Sequence, residues 1–379
     1  MQSKYFIVTT FSSLGISNDF QKALQENKLI VPTDIQIKSI PVLLEQDTDF
    51  IGLAQTGTGK TAAFGLPILQ NIDPSKNEIQ ALILSPTREL VQQINKQLFR
   101  FTKYAPTKIF SEELYGGVKI DQQIENLKRP THFIVATPGR LIDLIERGAL
   151  DLTKIKTIVL DEADEMLSMG FKQDLNRILN YTNGTRKTWL FSATMPDEIK
   201  RIVKTYMSPD AVRVEVDADT LVNKNISHQY IQVNGKEKYN ALVNFLEENP
   251  KGRGIIFCKT RAGVQNLTEY LSEDDFSVAG LEGDMGQRDR DKVMRSFKNE
   301  SKRLLVATDV AARGIDVKDL AFVLHYQLPE QLEYYTHRSG RTARAGKKGI
   351  SLAIVTATEL GRLREIEEDL NIKSKQIHQ

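Results

Sequence analysis

The chain has 379 residues, with 51 Lys and Arg against 49 Asp and Glu and a formal net charge of +2. This balance argues against a protein that binds nucleic acid through bulk positive charge, so any phosphate binding must be local. An apolar fraction of 40% and a charged fraction of 26% suit a globular chain and argue against disorder, collagen and coiled coil. The single cysteine, Cys258, excludes an internal disulfide and a cysteine-built metal site, and it fits a reducing compartment.

The sequence carries no evident targeting or membrane segment. The early apolar run, Tyr5 to Val8, is too short for a secretory signal, and no run of about 20 apolar residues occurs. We therefore expect a cytoplasmic protein without a membrane partner. At roughly 150 residues per domain, the length favours two domains or one large one.

In the first half of the chain, short apolar runs rich in β-branched residues alternate with helical patterns such as Glu89–Tyr104 and Leu141–Arg147. Strands that alternate with helices form parallel sheets covered on both faces, so this order predicts an α/β domain. The strand candidates are Phe50–Leu53, Ala81–Ser85, Ile109–Tyr115, Phe133–Ala136, Thr157–Leu160 and Thr188–Phe191.

The second half repeats this architecture. Helical patterns cover Lys238–Glu247, Ala262–Leu271, Arg288–Phe297 and, near the end, Glu359–Leu370. The stretch Met207–Asn225 lacks a strong helical period, which predicts a first domain over 1–207, a linker over 208–225 and a second domain over 226–379. Two such domains form a cleft in which a nucleotide could be shared. The strand candidates are Gln229–Val233, Gly254–Cys258, Val278–Leu281, Leu304–Ala307, Phe322–His325 and Ser351–Val355.

A glycine-rich segment, Ala54 to Thr61, follows the strand Phe50–Leu53 and precedes an apolar helical pattern, as in a P-loop. Its glycines let backbone N–H groups point at phosphate oxygens, Lys60 can reach the terminal phosphates, and the Thr61 hydroxyl can bind Mg²⁺. Ala54 stands where the strict pattern has Gly, and it is small enough for the turn. The alternative is an ordinary turn between strand and helix. The nucleotide-binding candidates are Gly57, Thr58, Gly59, Lys60 and Thr61.

Four residues with three carboxylates, Asp161-Glu162-Ala163-Asp164, follow the buried-type strand Thr157–Leu160. A carboxylate at this place beside a P-loop is suited to hold Mg²⁺, which predicts that role for Asp161. Glu162 is placed to orient and deprotonate an attacking water. The alternative is a solvated acidic helix start.

These motifs resemble the DEAD-box ATP-dependent RNA helicases of helicase superfamily 2, in a bacterial-type minimal core that runs from about Phe11 to about Gly349. The resemblance implies two tandem RecA-like domains, each a mostly parallel sheet with helices on both faces. Further motifs match in the family's order: Pro32 to Gln36, Pro86 to Leu90, Gly116-Gly117, Thr137 to Arg140, Ser192 to Thr194, Ile255 to Cys258, Ala307 to Asp316 and His337 to Arg344.

The resemblance also implies site roles, with ATP and Mg²⁺ as the ligands. Gln36 resembles the glutamine that reads adenine, and Asp316 resembles the residue that contacts ribose. Arg341 and Arg344 resemble arginines that stabilise the transferring phosphoryl group on domain closure; the alternative is a solvated basic helix end over 338–348. The residues implied to couple hydrolysis to strand separation are Asp164, Ser192, Thr194 and His337.

RNA contacts without sequence readout are implied for a set rich in Gly and Thr, whose backbone and hydroxyl groups suit phosphates. For any one of them, a turn or helix cap is the alternative. Phe11 matches an aromatic position upstream of Gln36, with a core position as its alternative. The implied RNA contacts are Thr87, Arg88, Gly116, Gly117, Thr137, Arg140, Gly283, Arg290, Thr308 and Arg313.

Some positions depart from the family's pattern. Lys28 and Leu29 replace a Gly-aromatic pair, Glu282 stands where His is common, and Ser339 and Ala343 replace the usual Ile and Gly. None removes a catalytic charge. We therefore expect a monomeric, RNA-dependent ATPase that separates short RNA duplexes. The alternatives are an RNA clamp or scaffold and a DNA helicase of the same superfamily.

Overall fold

The computed structural model describes residues 9–55, 57–182, 184, 186–216, 225–312, 317, 320–343 and 347–378. The chain divides into two compact units, Met1–Val216 and Asp217–Gln379. Each unit is built on one parallel sheet with its own helices. Within the described ranges, no helix combines the length and the apolar character that a membrane span requires.

The first unit contains a seven-stranded sheet over its described residues. Its strands are β1 Phe50–Leu53, β2 Ala81–Leu84, β3 Ser111–Leu114, β4 Phe133–Ala136, β5 Thr157–Asp161, β6 Lys187–Ser192 and β7 Val212–Glu215. They lie in the order β3-β4-β2-β5-β6-β1-β7, and the paired strands are parallel. The helices are α1 Asn18–Glu26, α2 Asp34–Glu45, α3 Lys60–Asn71, α4 Arg88–Phe101 followed by a 3-10 turn at Thr102–Tyr104, α5 Ile120–Leu127, α6 Pro138–Glu146, α7 Ala163–Ser168, α8 Lys172–Tyr181 and α9 Asp197–Tyr206.

Helices cover both faces of this sheet, because alternate residues of a strand point to opposite sides. Within β2, Ile83 packs into a core cluster with Val91 of α4. The next residue, Leu84, packs into a second cluster with Leu141 of α6. Burial on both faces explains why the central strands are continuous apolar runs rather than alternating ones.

The second unit has the same plan, again with seven strands over its described residues. Its strands are β8 Ile226–Gln232, β9 Gly254–Phe257, β10 Val278–Leu281, β11 Leu304–Ala307, β12 Phe322–His325, β13 Gly349–Val355 and β14 Lys375–Gln376, in the order β10-β11-β9-β12-β13-β8-β14. Its helices are α10 Lys238–Glu248 after a 3-10 turn at Gly235–Glu237, α11 Arg261–Glu273, α12 Gln287–Lys298, α13 Asp309–Ala312, α14 Leu332–Ser339 and α15 Leu360–Asp369. Ile256 packs with α10 and Ile255 with α12, so both faces are covered.

Two parallel sheets with helices on both faces confirm the predicted fold class of tandem RecA-like domains. The linker prediction over 208–225 is wrong for part of its length. Val212–Glu215 forms β7, which pairs with β1, and the first unit extends to Val216 rather than to residue 207. The partly buried Val212 and Val214 pack against the first core, which holds this short edge strand in place. Residues 217–224 lie outside the described part.

Candidate functional site

The candidate site segments of the first unit follow parallel strands, so they share the carboxyl edge of its sheet, where ligands bind in such folds. The glycine-rich loop follows β1, the acidic segment follows β5, and Ser192 ends β6. These three strands are neighbours in the order β5-β6-β1. The implied RNA segments follow β2, β3 and β4, which form the other half of the same edge. The sequence order therefore places both groups of segments on one edge.

The glycine-rich loop is held at its base by Lys60. This lysine is 6% exposed, and its Nζ donates a hydrogen bond to the Ala54 carbonyl at 2.7 Å. The Thr58 hydroxyl donates to the Gln55 carbonyl at 2.7 Å, and the Ala54 N–H donates to the Ser192 carbonyl at 3.0 Å, which ties the loop to β6. A buried ammonium held by a single carbonyl oxygen retains two further N–H donors for phosphate oxygens. Thr56 lies outside the described residues.

Gly59 requires glycine for two reasons. Its φ is +93°, in the left-handed region, and a Cβ added there would clash with the Gln36 amide. Gln36 is buried, donates from Nε2 to the Gly59 carbonyl at 3.0 Å, and accepts from the Thr33 N–H at 2.9 Å. One N–H and one lone pair of the amide remain for a base edge. Gln36 therefore also fastens the start of α2 to the loop, a contact that sequence reasoning missed.

The carboxylate that ends β5, Asp161, is buried. Burial, reinforced by the neighbouring Glu162 and opposed by Lys60, raises the pKa of Asp161 to about 7. A divalent cation would stabilise such a carboxylate in its ionised form. Among the described residues, no group of three His, Cys, Asp or Glu side chains could hold a metal by itself. The Thr61 hydroxyl and the Asp161 carboxylate are oxygen donors, the kind that Mg²⁺ takes, and Mg²⁺ usually binds few protein ligands and completes its shell with phosphate oxygens and water.

The last carboxylate of the segment, Asp164, joins it to the end of β6. Its Oδ2 accepts hydrogen bonds from the Thr194 N–H and hydroxyl, both at 2.9 Å, and from the Ala193 N–H at 3.2 Å. The Asp164 N–H donates to the Ser192 hydroxyl at 3.3 Å. These hydrogen bonds bring together three of the residues implied to couple hydrolysis to strand separation, Asp164, Ser192 and Thr194. Because of these bonds, a displacement of the acidic segment would also displace the Ser192–Thr194 segment.

Two of the implied RNA residues, Thr87 and Arg88, begin α4. The Thr87 hydroxyl accepts from the Leu90 N–H at 3.3 Å, so it caps the helix, as the alternative interpretation had it. The Arg88 guanidinium lies over the Tyr115 ring at 4.9 Å from the centroid and is partly exposed. Arg88 therefore retains solvent access for a phosphate contact, while Thr87 is largely committed to the protein.

The remaining candidates of this unit surround the turn after β3. Gly116 and Gly117 are exposed, and Gly117 has a φ of +86°. Thr137 is the N-cap residue of α6, and its hydroxyl makes no capping hydrogen bond. Arg140 donates from Nη1 to the Val118 carbonyl at 3.0 Å and to the Gln123 side chain at 2.8 Å. Two of its hydrogen bonds are therefore made inside the protein.

In the second unit, the candidates also follow strand ends. Thr308 follows β11, is buried, and its hydroxyl accepts from the Ala311 N–H at 3.4 Å. Arg290 of α12 donates to the Ala311 carbonyl at 2.8 Å. Gly283 is exposed, and the Glu282 carboxylate beside it accepts from the Asp284 N–H at 2.7 Å. Glu282 is therefore engaged within its own turn.

The described part of the arginine segment, His337 to Ala343, is more buried than a solvated basic helix end. Arg338 is 2% exposed, and it donates from Nε and Nη2 to the two carboxylate oxygens of Asp309 at 2.5 and 2.7 Å. Arg341 is also buried, and His337 is partly buried. Ala343 has a φ of +54°, which explains the family's Gly at that position. The predicted site residues Arg313, Asp316 and Arg344 lie outside the described residues.

Upstream of Gln36, the structure describes the aromatic position Phe11 and the unusual pair Lys28-Leu29. Phe11 is buried in the first core, which matches its alternative interpretation as a core residue. Leu29 is partly buried against the same core, and Lys28 has a φ of +60°. The Arg338–Asp309 pair and the contact of Gln123 with Arg140 were not predicted from the sequence, because the partners are distant along the chain and no local pattern marks them.

Two family models match the chain. Residues 33–202 match the model described as DEAD/DEAH box helicase, and residues 237–346 match the Helicase conserved C-terminal domain. The DEAD-box ATP-dependent RNA helicase CshA of Geobacillus kaustophilus is 42% identical over 371 residues, which are 98% of this chain and 78% of that protein. The ATP-dependent RNA helicase CshA of Limosilactobacillus reuteri is 44% identical over 359 residues, 94% of this chain and 71% of that protein.

Solved structures agree with these matches. S. cerevisiae Dbp5 bound to RNA and ADP BeF3 is similar with a TM-score of 0.89 and 30% identity, covering 97% of this chain and 95% of that one. Mss116p bound to ssRNA and AMP-PNP is similar with a TM-score of 0.87 and 31% identity, covering 99% and 80%.

Proposed function

Because the chain belongs to the DEAD-box ATP-dependent RNA helicases, we propose that it hydrolyses ATP in response to RNA and locally separates short RNA duplexes. The observation that carries the proposal is the way three segments come together at the first sheet's edge. Lys60 holds the base of the loop, and its charge acts on the pKa of Asp161. Asp164 is hydrogen-bonded to Thr194. Such a set links a phosphate-binding loop to a segment that can respond to nucleotide state.

ATP would be held by residues of both units. In the first, Gln36 would read the adenine edge with its remaining donor and acceptor, and Lys60 would contact the terminal phosphates. In the second, Asp316 would contact the ribose. Thr61 and Asp161 would hold Mg²⁺, which when bound neutralises charge on the phosphate oxygens. The loop amides around Gly57, Thr58 and Gly59 would cradle the remaining phosphate oxygens.

Hydrolysis would depend on a carboxylate and two arginines. Glu162 would orient the attacking water and accept its proton. Arg341 and Arg344 would present planar guanidinium groups to the transferring phosphoryl oxygens once ATP has brought the two units together. Domain closure would thus complete the catalytic set, and an open enzyme would turn over slowly.

RNA would be bound through its backbone, without reading sequence. Arg88, the exposed Gly116–Gly117 turn and Thr137 offer guanidinium, backbone and hydroxyl donors at one edge of the first sheet. In the second unit the implied contacts are Gly283, Arg290, Thr308 and Arg313. Contacts to 2′-hydroxyl groups would favour RNA over DNA.

ATP and RNA would each favour the closed arrangement and therefore strengthen each other's binding. Closure would bend one RNA strand, which a continuous duplex cannot follow, so the partner strand would be released. Asp164, Ser192 and Thr194, with His337, would transmit the nucleotide state, and phosphate release would reopen the enzyme. We infer a monomer that acts in the cytoplasm, which suits the buried free thiol of Cys258.

A strand-release assay tests this function. A short RNA duplex with one labelled strand is mixed with the protein, with and without ATP, and we expect release only with ATP. Lys60→Ala and Glu162→Gln should reduce ATP turnover by at least about a hundredfold, the scale of losing phosphate contact or a general base. Stable RNA binding without strand release would identify a clamp or scaffold. Equal stimulation by single-stranded DNA would identify a DNA helicase of the same superfamily. Either result would replace the proposal.

A further inference from the structure

The glycine turn after β3, Gly116-Gly117, has an exposed backbone. Nothing inside the unit requires glycine at its first position, Gly116. Gly116 does not have a positive φ, and a Cβ added there would meet no atom within 4 Å. Gly117, by contrast, needs glycine for its φ of +86°. An external ligand that comes close to the backbone explains glycine at position 116.

Two side chains hold the turn from both ends. Gln123 of α5 is 4% exposed, and its Nε2 donates to the Tyr115 carbonyl at 3.2 Å and to the Glu113 carbonyl at 3.4 Å. Arg140 of α6 donates from Nη1 to the Val118 carbonyl at 3.0 Å. The two side chains also bond to each other, because the same Nη1 donates to Gln123 Oε1 at 2.8 Å. We call this arrangement, Gln123 and Arg140 on the Tyr115 and Val118 carbonyls, the turn clamp.

The turn clamp aligns the glycine turn with the neighbouring RNA segments. The Tyr115 hydroxyl accepts from Gln92 of α4 at 2.8 Å, and the Tyr115 ring lies under Arg88. On the other side, the Thr137 N–H donates to the Leu114 carbonyl at 2.9 Å. The ends of β2, β3 and β4 are thus fixed relative to one another, and Gln123 contacts both the turn and Arg140.

We propose that Gln123 is a positioning residue for RNA binding, and that Arg140 serves the same purpose through the turn clamp. The inference rests on the proposed function, since it names what holds the RNA-binding backbone in place. Gln123 faces away from solvent and so acts through the turn rather than on RNA. Backbone amides bind phosphate well only when their direction is fixed beforehand, because ordering them on binding costs affinity.

The test compares two neighbouring glutamines of α5 in the full chain. Gln123→Met keeps the length of the side chain and removes its hydrogen bonds. Gln122→Met is the matched control, because Gln122 is exposed and its side-chain amide donates to Asn126 of the same helix rather than to the turn. ATP hydrolysis is measured against RNA concentration and against ATP concentration. We expect Gln123→Met to raise the RNA concentration for half-maximal stimulation about tenfold, with kcat at saturating RNA and the KM for ATP within twofold of wild type.

Gly116→Ala provides a second variant that should not disturb folding, since the added methyl group meets nothing. It should weaken RNA stimulation to a similar degree while the melting temperature stays unchanged. The inference is overturned if Gln123→Met requires no more RNA than Gln122→Met, or if its kcat and KM for ATP change as much as its RNA requirement. If RNA does not stimulate the wild-type protein, the proposed function fails, and the inference fails with it.

Discussion

The ion pair between Arg338 and Asp309 gives a prediction whose size follows from unequal burial. The Arg338 side chain is 1% exposed and that of Asp309 is 19% exposed. Arg338 also donates to the Gln327 carbonyl at 2.8 Å and lies over the Phe257 ring. Removal of Asp309 leaves a guanidinium charge sealed from water. Removal of Arg338 leaves a carboxylate that can regain part of its hydration.

Asp309→Ala should therefore cost more stability than Arg338→Met. Losing one partner of a buried pair typically costs about 3–5 kcal/mol, and we expect Asp309→Ala in that range. For Arg338→Met we expect about 1–3 kcal/mol, the cost of leaving hydrogen-bonding groups partly unsatisfied. The double variant should be less destabilised than the sum of the two, by at least about 1 kcal/mol.

Urea unfolding with two probes can locate these effects. Trp189, the single tryptophan of the chain, is buried in β6 of the first unit, so its fluorescence reports that unit. Far-UV circular dichroism reports both units. We expect the variants to shift a circular-dichroism transition and leave the fluorescence transition in place. Additive effects, or a larger cost for Arg338→Met than for Asp309→Ala, would refute the argument from burial.

Three further predictions concern the loop, a buried histidine and the acidic segment. Gly59→Ala should weaken nucleotide binding more than tenfold in a titration, because the methyl group would displace Gln36 and the left-handed backbone would be strained. Burial lowers the pKa of His228 from 6.5 to about 4. The contribution of neutral His228 to the free energy of unfolding is therefore complete above pH 6.5 and is lost as the pH falls to 4, about 3 kcal/mol in all. His228→Gln should flatten this part of the plot of unfolding free energy against pH. The raised pKa of Asp161 has the opposite effect on stability. The free energy of unfolding falls as the pH rises through 7, because the folded state holds the proton that the unfolded state has already lost. Asp161→Asn should thus melt higher than wild type at pH 8 without nucleotide, equal it near pH 4, and lose ATP hydrolysis.

Much of the fold can be predicted from local pattern. Strands such as β1, β4 and β11 are bounded as the apolar runs predict, because burial on both faces leaves a continuous apolar signal. The edge strands β7 and β14 could not be predicted in this way. Val212–Glu215 alternates, and Lys375–Gln376 is only two polar residues long and exists through its pairing with β8. Their structure comes from a neighbour, not from their own composition.

The candidate site also combines features that local sequence pattern predicts with features that depend on distant neighbours. Motif spacing predicts that Lys60 and Asp161 share one sheet edge, because parallel strands end together. It does not predict that Gln36 fastens the loop at Gly59, or that Arg338 is buried and paired with Asp309. These depend on side chains from separate elements. Hydrogen-bond partners that lie 23 and 29 residues apart leave no periodic signal in the sequence.

The central claim is that RNA controls ATP hydrolysis in this protein. Purified protein with saturating ATP and Mg²⁺ is assayed for phosphate release, with and without a single-stranded RNA and with the same sequence as DNA. We predict a rise of at least about tenfold with RNA and little change with DNA, and no rise for Glu162→Gln. A rate of phosphate release that stays the same when RNA is added would contradict the account.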